Sequence, residues 1–150
     1  MNQENYNEDL AIFYLDNLSK LLRNKANRYL SSQGIDVRIK QLPVLFSIPE
    51  EGLPQQQIAD EIGRDKSSVL RTISSLEREE LVKVMTDMAD KRKNCVMLTP
   101  KGKLLVSLLK DKIVNLEKVL FNCLKTPEHI RFMQLTKSIW NKLQNIHIIQ

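Results

Sequence analysis

Aromatic side chains make up only 5% of the chain. Rings therefore cannot carry a core here, and leucine and isoleucine have to fill it. The two cysteines, Cys95 and Cys123, are too few for a disulfide scaffold and fit a reducing compartment. Both read as structural thiols, Cys95 on a strand and Cys123 on a leucine stripe, each buried. There are two histidines, His129 and His147. The one carboxylate close to either is Glu128, and adjacent residues do not share a helix face, so no metal site is expected. No nucleophile elbow or phosphate-binding glycine loop occurs, which argues against an enzyme and against a cofactor. No apolar run approaches the ~20 residues that span a bilayer. The N-terminus carries Glu4, Glu8, Asp9 and Asp16 and lacks the basic-then-apolar pattern of a signal peptide. The expectation is a cytoplasmic protein with no membrane partner.

The chain has 150 residues, 42% apolar and 27% charged, with a formal net charge of +5. That suits one globular domain, or one domain with an appended lobe. The positive charge is compatible with a polyanion without demonstrating one. It is unevenly spread. Lys20, Arg23, Lys25, Arg28, Arg38 and Lys40 face Asp36 alone within their run, which reads as phosphate contacts, as an anion-pocket wall or as solvated surface. Lys83, Lys91, Arg92 and Lys93 form a second basic run.

Gly34, Gly52, Gly63 and Gly102 are the only glycines, and with Pro49, Pro54, Pro100 and Pro127 they punctuate a helical chain. Leu10, Tyr14, Leu18, Leu21, Leu22, Ala26 and Tyr29 follow helical spacing over about Asn7 to Ser32. Asp36 then caps a shorter helix holding Ile39, Leu42 and Leu45, which Pro43 kinks or delays. A third helix opens near Pro54, placed in its first turn, and ends at Gly63. Asp65 caps a fourth. Leu81 to Thr86 and Asn94 to Leu98 read as strands around a polar turn. Thr99-Pro100 opens a fifth helix with a stripe of Leu105, Leu108, Leu109, Ile113, Leu116, Leu120 and Leu124. Thr126-Pro127-Glu128 repeats that start signal for a last helix striped by Ile130, Met133, Ile139, Leu143 and Ile146. Terminal helices this apolar serve as core and as a seam against another surface.

Ala59, the turn glycine Gly63 and the buried positions Val69, Ile73 and Leu76 have helix-turn-helix spacing, and the hairpin behind them makes it winged. The predicted class is mainly α with a small β-hairpin wing. It divides into an N-terminal dimerisation helix (1–35), a winged helix-turn-helix DNA-binding lobe (36–99) and C-terminal dimerisation helices (100–150). At ~100° per residue the fourth helix sets Val69, Thr72, Ile73 and Leu76 on one face. Ser67, Arg71, Ser74 and Arg78 lie opposite, with Leu70 beside them. Arginine suits guanine edges, serine suits base or phosphate, and Leu70 suits a thymine methyl. The candidate DNA contacts are Lys66, Ser67, Ser68, Leu70, Arg71 and Ser74 on this helix, and Asp90, Lys91, Arg92 and Lys93 on the turn. A basic hairpin tip fits a minor groove, with Arg92 inserted and Asp90 orienting it. The plainer alternative leaves Arg71, the serines and the turn facing water.

"LPQQQIADEIGRDKSSVLRTISSLEREELV", "DMADKRK" and "LTPKG" together resemble the MarR family of winged helix-turn-helix regulators, from about Val37 to Gly102. Asp90-x-Arg92 followed by Leu98-Thr99-x-x-Gly102 is the most specific part. The resemblance implies a homodimer on a pseudo-palindromic operator in double-stranded DNA. It also implies repression that a small anionic or phenolic effector relieves by binding between lobes, with Arg71 and Arg92 as DNA contacts. Arg23 and Tyr29 are the candidate effector residues. Glu80 stands where the family usually has glycine, Val84 replaces a frequent wing arginine, and Pro43 is unusual in its helix. The redox-sensing branch uses a cysteine near the N-terminus, and none is present there. The rival reading is a winged-helix protein-interaction module, for which Leu70 and Met88 speak.

Overall fold

The computed structural model describes residues 10–86, 88–90 and 94–146. Helix α1 (Ala11–Ser32) leads through a 3-10 turn (Ile39–Gln41) into α2 (Leu42–Ser47). A two-residue strand β1 (Leu53–Pro54) precedes α3 (Gln55–Ile62) and α4 (Lys66–Arg78). The hairpin β2 (Val82–Thr86) and β3 (Asn94–Leu98) follows, then α5 (Pro100–Leu120) and α6 (Thr126–Gln144). The chain divides within α5 into two compact units, Met1–Lys112 and Ile113–Gln150.

The first unit has an aliphatic core. Leu30, Leu45, Ile58, Ile73, Leu76, Val96 and Leu109 are sealed from solvent, and no aromatic ring is buried among the described residues. On α4 the sealed side chains are Val69, Ile73 and Leu76. Each contributes roughly 1.5–3 kcal/mol by leaving water, which fixes the rotation of the helix about its axis. Asp65 Oδ1 accepts from Ser68 N at 2.8 Å and closes the start of α4 as expected.

Two starts here differ from the sequence reading, and one open alternative is decided. The second helical segment does not begin at Asp36. Arg38 N donates to Gln41 Oε1 at 2.8 Å, and Ile39 N to Asn27 Oδ1 on α1 at 2.8 Å. The caps thus come from a buried glutamine and from another helix. Pro43 sits in the first turn of α2, after the 3-10 turn, so it delays the α-helix rather than kinking it. Pro54 is not in the first turn of α3. With φ −58° and ψ 140° it occupies the cap position, still extended, because it pairs with Cys95 of β3. That pairing makes the wing a three-stranded antiparallel sheet, β1-β3-β2, with Leu53 opposite Val96 and Val84 opposite Val96 on the other edge.

Helices α3 and α4 end in the same way. After α3, Gly63 takes φ 63°, and Arg64 N bonds back to Ala59 O at 3.2 Å. After α4, Leu81 N reaches Leu76 O and Glu80 N reaches Glu77 O, both at 2.9 Å. Here the left-handed residue is Glu80, φ 60°, the one non-glycine with positive φ among the described residues. Leu76 and Leu81, both buried, supply the hydrophobic contact of this Schellman ending. Glu80 therefore keeps the glycine conformation without being glycine. Glu80→Gly is expected to raise unfolding stability by about 1 kcal/mol, the left-handed penalty less glycine's chain entropy. Urea denaturation measures it, and a lower midpoint would refute the strain.

The end of α4 is locked to the start of α5. Thr99 Oγ1 donates to Glu80 O at 2.6 Å and accepts from Gly102 N at 3.0 Å. Thr99 N donates to Leu81 O at 3.1 Å, and Lys101 Nζ to Glu79 O at 2.8 Å. A Cβ on Gly102 would collide with the Leu81 carbonyl oxygen. The Leu-Thr-x-x-Gly sequence is thus a joint, with the threonine as bracket and the glycine as clearance.

In the second unit, the cap residue of α6 is Lys125 rather than Thr126. Lys125 N donates to Glu128 Oε2 at 2.7 Å, so the reciprocal glutamate does the capping and the threonine lies inside the helix. Phe121 packs edge-on against His129 at 5.8 Å and tilted against Phe132 at 5.7 Å. Cys123, expected buried, is exposed, because α5 stops at Leu120 and the cysteine falls in the connection. Cys95 is half-buried. None of the 19 residues of α6 is buried. Ile139, Trp140 and Leu143 of its apolar side are 50%, 53% and 61% exposed.

Candidate nucleic-acid interface

Because α4 is pinned by Val69, Ile73 and Leu76, its opposite face is fixed as well. Lys66, Ser67, Arg71 and Ser74 are exposed, and Leu70 is 44% exposed among them. Lys66 and Ser67 stand in the first turn, where free N–H groups and the helix dipole favour an anion. Ser68 is turned further inward. It is half-buried, its N–H is held by Asp65 and its carbonyl accepts from Thr72 Oγ1 at 3.0 Å. The structure thus brings five of the six helix candidates onto one outward face and sets Ser68 at its margin.

Leu70 and Lys66 also border a hollow of about 350 Å³ with Pro54, the amides Gln55 to Gln57 and Asn94 at the first position of β3. These amides are not among the residues that the sequence singles out. Three consecutive glutamines at the start of the first helix of a helix-turn-helix were the signal. Asp90 is half-buried and engaged within the chain. Lys91, Arg92 and Lys93 lie outside the described residues.

The basic run from Lys20 to Lys40 is split by the fold. Lys20 pairs with Asp16 at 2.6 Å on exposed α1, and Arg23 donates to Ser19 Oγ at 2.6 Å. Tyr29 is half-buried on a different face of the same helix, so Arg23 and Tyr29 are not brought together. Arg38 and Lys40 instead come to lie beside α4. Among the described residues no three metal-ligating side chains converge, and no helix is long and apolar enough to cross a membrane.

Residues 39–93 match the sequence profile of the MarR family. The MepR–DNA complex from S. aureus is similar over 90% of this chain and 99% of that one, at 24% identity and a TM-score of 0.77. A MarR/EmrR family transcriptional regulator from Acinetobacter sp. ADP1 is similar over 97% and 100%, at 24% identity and a TM-score of 0.76. The PcaV transcriptional regulator of Streptomyces coelicolor, in complex with its natural ligand, is similar over 89% and 94%, at 22% identity and a TM-score of 0.80. No curated protein matches the chain in sequence. The hairpin behind a serine- and arginine-faced helix and the threonine–glycine joint agree with this profile: residues 39–93 match the MarR family, and the chain has the fold of the solved MarR-family regulators.

Proposed function

We propose that the protein is a dimeric, sequence-specific transcriptional regulator, acting as a ligand-responsive repressor. The observation that carries this is the outward face of α4, where Ser67, Arg71 and Ser74 stand exposed around Leu70 on a rigidly seated helix. Short serine side chains let such a helix sit deep in a major groove, while arginine reaches a guanine edge. The wing residues Lys91, Arg92 and Lys93 hold the flanking minor groove. The dimer is supported by α6, which carries an apolar side and buries none of it within the chain. Effector control is supported by PcaV, solved with its natural ligand. An effector acts by favouring a lobe spacing that misfits the operator.

Selection from randomised duplexes is the test. A pseudo-palindrome is expected, with half-site centres about 10 bp apart. Recovery of no palindrome would sink the reading and favour the protein-interaction alternative, for which exposed Leu70 and Met88 would then be the docking residues. Sedimentation at micromolar concentration is expected to show a dimer, and a monomer there would contradict the assignment of α6.

A further inference from the structure

On the side of α4 away from the wing, a groove of about 430 Å³ runs between that helix and the start of the 3-10 turn. Five basic side chains line it: Arg38 and Lys40 from one wall, Arg64 from the turn after α3, and Arg71 and Arg78 from α4. Asp36 and Glu79 are its two carboxylates, so the balance is strongly positive. Arg64 is held in place, since its Nη1 donates to Lys40 O at 2.6 Å. Arg38, Lys40, Arg71 and Arg78 form no ion pair among the described residues. Gln41, the one buried polar side chain among the described residues, ties the two walls together. Its Oε1 accepts from Arg38 N at 2.8 Å and its Nε2 donates to Ser75 Oγ at 3.3 Å.

We infer that this groove takes consecutive phosphates of one DNA strand, the strand alongside the recognition helix. The inference rests on the DNA-binding reading and adds to it a second, sequence-independent contact, made by Arg38, Lys40 and Arg64 outside the recognition face together with Arg71 and Arg78 at its edge. Arg71 and Arg78 are seven positions apart on nearly the same face, roughly 10 Å along the axis. That is well beyond the ~3.4 Å of axial rise between consecutive phosphates of a strand, so the two guanidiniums reach different phosphates. The opposite wall sets Arg38 and Lys40 against the same track, with Ser68 and Thr72 of α4 also lining it. Arg71 stands on the rim shared with the base-reading face. A strand fixed here sets the depth and tilt of α4, as backbone contacts do without reading sequence. Glu79, whose Oε1 accepts from Ser75 Oγ at 3.2 Å, places a negative charge on the track and limits its grip on arbitrary DNA.

The test is the salt dependence of duplex binding by the full-length chain. Arg38→Ala with Lys40→Ala keeps the main-chain groups that Gln41 and Arg64 use, so the lobe stays folded. The double variant is expected to bind selected and unrelated duplexes more weakly by the same factor, with the slope of log K against log salt shallower by about 2. Glu79→Gln, which keeps an acceptor for Ser75, is expected to bind every duplex several-fold more tightly. An unchanged slope in the double variant, a loss confined to one base position, or no tightening with Glu79→Gln overturns the inference. If instead the unaltered protein binds no duplex, the DNA-binding reading itself has failed.

Discussion

Gly102→Ala is expected to lower unfolding stability by about 2–3 kcal/mol, although alanine is the better helix former by about 1 kcal/mol. The added methyl has to go where the Leu81 carbonyl oxygen lies. Backbone cannot swing aside as the end of a long side chain would. The start of α5 must therefore lift away, which disturbs the bonds from Thr99 N to Leu81 O and from Thr99 Oγ1 to Glu80 O. Leu81 is itself buried and closes the end of α4, so the disturbance reaches the core beneath the recognition helix. Urea denaturation of Gly102→Ala beside Lys103→Ala, an exposed neighbour in the same turn, separates clearance from helix propensity. A midpoint equal to that of the unaltered chain would show that the joint yields, and the account of the Leu-Thr-x-x-Gly sequence would fall with it.

Arg71→Ala is expected to remove about 1–3 kcal/mol of discrimination at one base position in each half-site, leaving the others nearly as they were. Its Cα is fixed by Val69 and Ile73 on either side, both sealed in the core, so the substitution alters reach rather than register. Arg71→Lys should recover affinity more than discrimination, because an ammonium cannot form the bidentate pair that a guanidinium forms with guanine. Affinities for the selected operator and its single-base variants decide the matter. A loss equal across all sequences would move Arg71 from the reading face to the phosphate track it also borders.

What could be read in the sequence was local. Asp65 before α4 and Thr99-Pro100 before α5 were legible because an N-cap satisfies backbone groups only a few residues away. The rotation of α4 followed from Val69, Ile73 and Leu76, whose spacing needs no partner to be recognised. The misread starts have separate physical causes. The segment after Asp36 begins where Asn27, on another helix, accepts from Ile39, and no local scan detects a cap from so far away. At α6 the backbone group belongs to Lys125, and Glu128 reaches back to it, so the Thr-Pro signal pointed one residue too late. β1 was missed because two residues carry no alternation, and Pro54 resembles a helix start wherever it precedes one. The phosphate track was invisible for the same reason of distance: Arg38, Arg64 and Arg71 are neighbours only after folding.

The joint at the end of α4 also has a mutational meaning. Its two sides, Glu80 and Gly102, oppose one another in tolerance: one is a side chain where none is wanted, the other a vacancy where none can be added. Every glutamate codon becomes a glycine codon by a single base change, so the favourable exchange at Glu80 lies one step away. Random mutagenesis under heat selection should accumulate glycine at the first and leave the second untouched. The most easily reached stabilising change and one of the least tolerated would then sit across a single hydrogen-bonded contact.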